Sequence, residues 1–306
     1  MVLVRIVSLV PHATELLFAL GAGPEVVAVT HECDYPPAAR ERERVTSDAL
    51  PPALSAAQFD AAVRERTQRG EAIYELDRKA LGALRPDLIV TQALCPVCAV
   101  SYEEVATLAQ QLPGKPRVIS LDPKTLGESL ADVRTVAQAT GRREQGVELV
   151  RRAAARLDRI KLAVRACPRV PVLALEWLDP VYLAGHWTPQ LIELAGGEDV
   201  LGFPGEPSRV SSWGEAVEAG AEVAVVMPCG YDAPRAHAEA VVYASELASL
   251  GAARVVAVNA SAYFSRPGPR LIDGAELLAH VLHPERVPAP PAGAEALPLE
   301  LSVARG

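Results

Sequence analysis

The sequence predicts an α/β protein of two doubly wound lobes with parallel sheets joined by one long helix, and three patterns carry that prediction. Short β-branched runs alternate with helical patterns of ten or more residues. Most of those runs are apolar without alternation, as strands covered on both faces of a parallel sheet are. The alternation falls into two halves of similar order, and a proline-free helical stretch divides them.

The strands of the first half are "VRIVSLV", "VVAVT", "DLIVTQ" and "RVISL". Its helices are "HATELLFALGA", stopped by Gly21 and Gly23, then "SYEEVATLAQQL", then "TLGESLADVRTVAQATG", closed by Gly141. Residues 142–166 follow with one glycine and with Val147, Val150, Ala154, Leu157, Ile160, Leu162 and Val164 at roughly helical spacing. They predict a single helix of about 24 residues, about 36 Å long. The second half supplies "PVLALEW", "VAVVMP" and "RVVAVN". The expected organisation is a first lobe over 1–141, the connecting helix over 142–166, a second lobe over 167–285 and a tail over 286–306, with the ligand where the lobes face each other at the carboxyl ends of the strands.

Composition bounds the partners. An apolar content of 50% over 306 residues supplies two medium cores. A net charge of −8 leaves no basic face for a phosphate backbone, so nucleic acid is excluded. The basic clusters "RERER" and "GRREQ…RRAAAR" are interleaved with acids, the pattern of solvated helix faces. "MVLVRIVSLVPHATELLFALG" lacks a basic n-region and a small-x-small cleavage site, and Arg5 and Glu15 interrupt it, so it reads as strand, turn and helix rather than a signal peptide. No uninterrupted apolar run is long enough for a membrane span. With Met1 as the native start, these features predict a cytoplasmic monomer with free thiols at Cys33, Cys95, Cys98, Cys167 and Cys229.

The segments that follow the strands gather the chemistry. They are "PHATE", "THECDYPP", "TQALCPVC", "DP", "EWLDPVYLAGHW", "PCGYD" and "NASAYFSRPGPR". Aromatics are 5% of the chain, yet Tyr35, Trp177, Tyr182, Trp187, Tyr231, Tyr263 and Phe264 all fall here with three histidines and four cysteines. Such a rim can stack on a flat ligand and offer nitrogen or sulfur to a metal. The segments nominate His12, Ala13, Thr14, His31, Tyr35, Gln92, Cys95, Trp177, Tyr182, His186, Trp187, Tyr231, Phe264 and Arg266 as ligand-binding residues, with His12, His31 and Cys33 as candidate metal ligands. For Cys95 and Cys98 the open roles are small apolar wall residues, a ligand contact, a redox dithiol or half of a zinc knuckle; the last lacks a second Cys-x-x-Cys. His12 can equally contact a ligand or cap the helix start, and His186 can be only a polar neighbour of Trp187. His237, His280 and His283 read as surface groups.

"RIVSLVPHATELLFALGAGPEVVAVTHECDYPP", "LGALRPDLIVTQ", "LAGHWTPQLIELAGGEDV", "VSSWGEAVEAGAEVAVV" and "SRPGPRLIDGAELLAH", in that order, resemble the long-helix class of ABC-importer substrate-binding proteins. Within it the cobalamin binders, related to ferric-siderophore and haem binders, are the most similar group. The resemblance implies a corrinoid or related metal complex as ligand, no catalytic cofactor and no chemistry performed. The alternatives are a haem, ferric-chelate or transition-metal binder using His and Cys groups, or a redox or metal enzyme using the same cleft. Against an enzyme, the chain lacks a Ser-centred elbow, a phosphate-binding glycine loop and a dinucleotide fingerprint; "GAGPEV" follows a helix, not a strand. The resembling proteins are periplasmic or lipid-anchored outside the membrane and dock on an ABC permease through one glutamate on each lobe. Lys79 and Gly214 occupy the matching positions here, with Glu215 one place along, which predicts that permease docking is lost.

Overall fold

The computed structural model describes residues 4–51, 54–93, 102–290 and 295–300. Contacts divide the chain into two compact units, one of the residues up to 123 with 130–150, the other of 124–129 with the residues from 151 onward.

In the first unit the strands are β1 (Ile6–Ser8), β2 (Val26–Val29), β3 (Glu43–Arg44), β4 (Thr46–Asp48), β5 (Tyr74–Leu76), β6 (Leu88–Thr91) and β7 (Arg117–Ser120). Five form a parallel sheet in the order β3-β2-β1-β6-β7, while β4 and β5 pair antiparallel beside it. The helices are α1 (Pro11–Ala19), α2 (Ala56–Gln68), α3 (Arg78–Leu84), α4 (Tyr102–Gln111) and, from Leu130 onward, α5 (Leu126–Ala139). Two apolar clusters cover the two faces of the sheet, which is why its strands carry no polar alternation. One packs Ile6, Leu17, Val26 and Val90 with Val136 of α5; the other packs Val7, Ile89 and Leu81 with Val105 of α4. The chain leaves β1 toward β2 on one side and reaches β6 on the other, so the order reverses between β1 and β6.

The proline-free stretch forms α6 (Arg143–Val164), 22 residues and about 33 Å long. Its glycine has a packing reason: a Cβ at Gly146 would lie 2.6 Å from the Cβ of Ala137, so α5 and α6 approach closely there.

The second unit continues with β8 (Val170–Leu178), β9 (Val181–Leu183), α7 (Thr188–Leu194), β10 (Gly197–Asp199), β11 (Arg209–Val210), α8 (Trp213–Glu218), β12 (Val223–Val226), α9 (Ala233–Val242), α10 (Ala244–Ser249), β13 (Arg254–Val258), α11 (Ala260–Tyr263), α12 (Leu271–Leu282) and β14 (Ala296–Pro298). Its sheet runs β11-β9-β8-β12-β13-β14, with β10 also paired to β8. The centre, β8-β12-β13, is parallel; β9, β11 and β14 are antiparallel additions. Leu173, Leu175, Val223 and Val225 are fully buried, and burying such a side chain contributes about 1.5–3 kcal/mol. No helix among the described residues is long and apolar enough to cross a membrane.

Candidate functional site

In the second unit the side chains converge at the carboxyl ends of β8 and β12. Across the hairpin Leu175 faces Leu183 and Trp177 faces Tyr182, so Glu176 is an extra, bulged residue. A bulge re-aims its neighbours, and here it frees the Glu176 carbonyl to accept from Cys229 N at 3.2 Å, tying the end of β8 to the loop after β12. Trp177 and Tyr231 meet edge to face with ring centroids 5.4 Å apart, and the Arg235 guanidinium lies 3.7 Å from the Tyr231 ring centre. Arg235 sits in the first turn of α9, which Asp232 caps through Arg235 N, so one short loop sets both ring and cation. Ser261 N donates to the Tyr231 carbonyl at 3.0 Å and Gly230 N to Ser265 Oγ at 3.2 Å, joining this loop to the one after β13.

A second group is held nearby in the chain, after β9. Trp187 Nε1 donates to the Phe264 carbonyl at 2.7 Å, and the His186 and Trp187 rings lie 5.5 Å apart. His186 adopts φ +54°, the left-handed region that costs a non-glycine residue energy. Two backbone bonds hold it there, His186 N to the Glu206 carbonyl at 2.6 Å and Gly205 N to the His186 carbonyl at 2.8 Å. Gly185 permits that approach, since a Cβ would sit 2.5 Å from both Glu206 O and Ser208 N. Burial, then the charge of Lys124, lowers the His186 pKa, so its imidazole is neutral at neutral pH. Burial raises Glu176, partly opposed by a hydrogen bond from Ser208, and burial also raises Asp199 to about 6.

In the first unit the corresponding position is the β1/β6 reversal. His12, Ala13 and Thr14 lie in the first turn of α1, all buried. Thr14 Oγ1 contacts Ser8 Oγ at 2.8 Å and Cys33 Sγ at 3.0 Å, and Cys33 Sγ also meets Thr30 Oγ1 at 3.1 Å. His31 uses both ring nitrogens within the protein, Nδ1 with Thr46 Oγ1 at 2.7 Å and Nε2 with Asp48 Oδ1 at 3.0 Å, while its ring tilts against Tyr74. Gln92 Nε2 and Thr91 Oγ1 are buried at the end of β6 with no hydrogen-bond partner among the described residues. Tyr35 is exposed and Arg266 half-buried. Cys95 and Cys98 lie outside the described residues.

The structure thus brings together Trp177, Tyr182 and Tyr231, and separately His186, Trp187 and Phe264. Within the first unit it sets Thr14 against Cys33 but knits His31 to the β4–β5 pair. Sequence reasoning missed Arg235, Glu176 and Ser265. "YDAPR" places Arg235 four residues after Tyr231 across a cap, a spacing that could have found it. Of the docking positions, Lys79 and Gly214 are exposed, and Glu215 is taken by Arg209, with Nη2 to Oε1 at 2.6 Å, and by Ser211 Oγ at 2.7 Å, which hold its carboxyl down at about 2.

Residues 6–254 match the family described as periplasmic binding protein. The periplasmic vitamin B12 binding protein of Vibrio cholerae shares the fold at a TM-score of 0.65 and 23% identity, over 91% of this chain and 96% of that one. A periplasmic heme binding protein from Pseudomonas aeruginosa does so at 0.67 and 20%, over 97% and 95%. At the level of sequence, a vitamin B12-binding protein of Vibrio cholerae serotype O1 is 56% identical over 43 residues, 14% of this chain and only 16% of that protein's length. These findings correct the cytoplasmic location expected from the N-terminal stretch: the apolar start is the first strand and helix of a fold whose family and relatives are periplasmic, so its lack of signal-peptide features is no guide to location. With the match running over most of its length, the chain belongs to the periplasmic binding protein family.

Proposed function

We propose that this substrate-binding protein holds a corrinoid or a related flat metal complex and performs no chemistry on it. The observation that carries the reading is the Trp177–Tyr231–Arg235 group, a rigid aromatic floor with a cation fixed over one ring. Flat macrocycles gain from aromatic contact, and their carboxylate, phosphate or amide periphery suits an arginine. Vitamin B12 and haem, the ligands in the relatives' names, are of this kind. His186, neutral at neutral pH, supplies a nitrogen able to approach a metal centre. Quenching of tryptophan emission by cyanocobalamin and by haem, each titrated separately, tests the reading. Saturable quenching by at least one, weakened in Trp177→Ala, is expected; no saturable quenching by either defeats it.

We infer also that the chain does not use the two-glutamate docking of the importers it resembles. An exposed lysine at 79 repels permease arginines, and Glu215 is already paired with Arg209. Stimulation of a corrinoid importer's ATP hydrolysis by the purified chain would overturn this.

A further inference from the structure

The second unit holds a group of metal-ligating side chains at the opposite end of its sheet from the aromatic loops. Cys167 lies in the turn between α6 and β8, so it precedes the sheet's first strand, whereas Trp177 and Tyr231 follow β8 and β12. Cys167 Sγ, a ring nitrogen of His283 and a carboxylate oxygen of Glu285 all lie within 4.8 Å of one another. We propose that these three residues bind a divalent transition metal, zinc by preference.

Each ligand is positioned by backbone rather than by chance of a long side chain. Cys167 N donates to the Val164 carbonyl at 2.9 Å, continuing the last turn of α6. His283 ends α12, and its carbonyl accepts from both Arg286 N and Val287 N at 3.0 Å, closing a turn that carries Glu285 back beside the ring. The imidazole is buried, 4% exposed, and its Nε2 meets the Gly196 carbonyl at 3.2 Å. Donation from Nε2–H fixes the tautomer and leaves Nδ1 as the nitrogen with a lone pair, the arrangement by which a carbonyl orients a metal-bound histidine. Gly196 has φ +89°, and a Cβ there would sit 2.5 Å from that Nε2, so the carbonyl can approach only because the residue is glycine.

The donor set selects the metal. One thiolate, one imidazole and one carboxylate are borderline in softness, and the two anions neutralise a dication; zinc in a tetrahedron accepts this mixture with water as fourth ligand. The ligand atoms, within 4.8 Å of one another, would have to draw closer around the ion to reach zinc bond lengths. Such an ion would tie the end of α6 to the end of α12.

Cobalt(II) added to the reduced, chelator-stripped full chain is the probe, with zinc(II) as competitor. The expected result is one equivalent bound, with a thiolate-to-cobalt charge-transfer band and tetrahedral d–d bands that zinc bleaches. Cys167→Ser, checked for folding by circular dichroism, should lose the charge-transfer band, and Glu285→Gln, an exposed and isosteric change, should weaken binding at least about tenfold. Zinc should raise the Tm of the parent chain but not that of Cys167→Ser. Absence of the band in the parent chain, or its persistence in Cys167→Ser, would overturn the proposal.

Discussion

Trp187 shows how much a single atom carries at the aromatic loops. Its Nε1 is the donor to the Phe264 carbonyl at 2.7 Å, and both residues are buried. Trp187→Phe keeps a ring but strands that carbonyl, so a stability loss of about 1–3 kcal/mol is expected from urea midpoints. A loss within error would show that the bond is replaced by water. Asp199 provides a pH-dependent counterpart. Its Oδ1 accepts from Leu201 N and Gly202 N, but burial dominates and lifts its pKa from 3.8 to about 6. The folded state therefore holds this proton more tightly than the unfolded one; the stability so contributed is complete below 3.8 and is lost as pH rises through about 6. At pH 7 the buried carboxylate costs at most about 3 kcal/mol. Asp199→Asn keeps the acceptor without the charge, so it should be more stable than the parent at pH 7, and the advantage should vanish on acidification through that window. An advantage unchanged by pH would contradict the assignment. Much of this residue scale was legible, because titratable and aromatic residues were read from strand ends, where Trp177, Tyr231 and His186 are found. Arg235 was not, because an arginine on an exposed helix face looks like any solvated charge until its distance to a ring is known. His283, read as a surface group, is buried against Gly196, a contact between residues 87 apart that no local pattern reveals.

At the level of elements the hairpin β8–β9 and the loop 205–208 act together: Gly185 and His186, just after β9, meet Glu206 and Ser208, and Ser208 bonds Glu176 of β8. Gly185→Ala would drive a methyl into Glu206 O and Ser208 N, backbone atoms that cannot rotate away. A destabilisation of about 1–3 kcal/mol is expected, together with release of His186 from φ +54° and a histidine NMR titration shifted toward the ordinary value. Retention of parental stability would mean that the loop yields freely. The seven core strands were readable because strands covered on both faces are continuous apolar runs; each falls within one or two residues of its expected span. β3, β4, β5, β9, β10, β11 and β14 were not, since each has only two or three residues, too few to show a period, and antiparallel edges borrow their register from a neighbour. α2 was not among the expected helices, although Ser55 and Gln58 form a reciprocal capping box at its start.

For the whole molecule, the order of strands and helices and the family agree, and both point to ligand capture. Location followed a different logic: an N-terminal stretch that forms β1 and α1 carries no address that its hydropathy could reveal, and only kinship corrected the expectation. The fold likewise does not name the ligand, since a haem binder and a vitamin B12 binder share it. The central claim is therefore tested by equilibrium dialysis of the purified chain against cyanocobalamin and against haem, with Trp177→Ala in parallel. Saturable one-site binding of at least one complex is expected, weakened in Trp177→Ala by about 1–3 kcal/mol, roughly a factor of 5 to 150 in Kd. Binding of neither complex, or binding of equal strength in the variant, would contradict it.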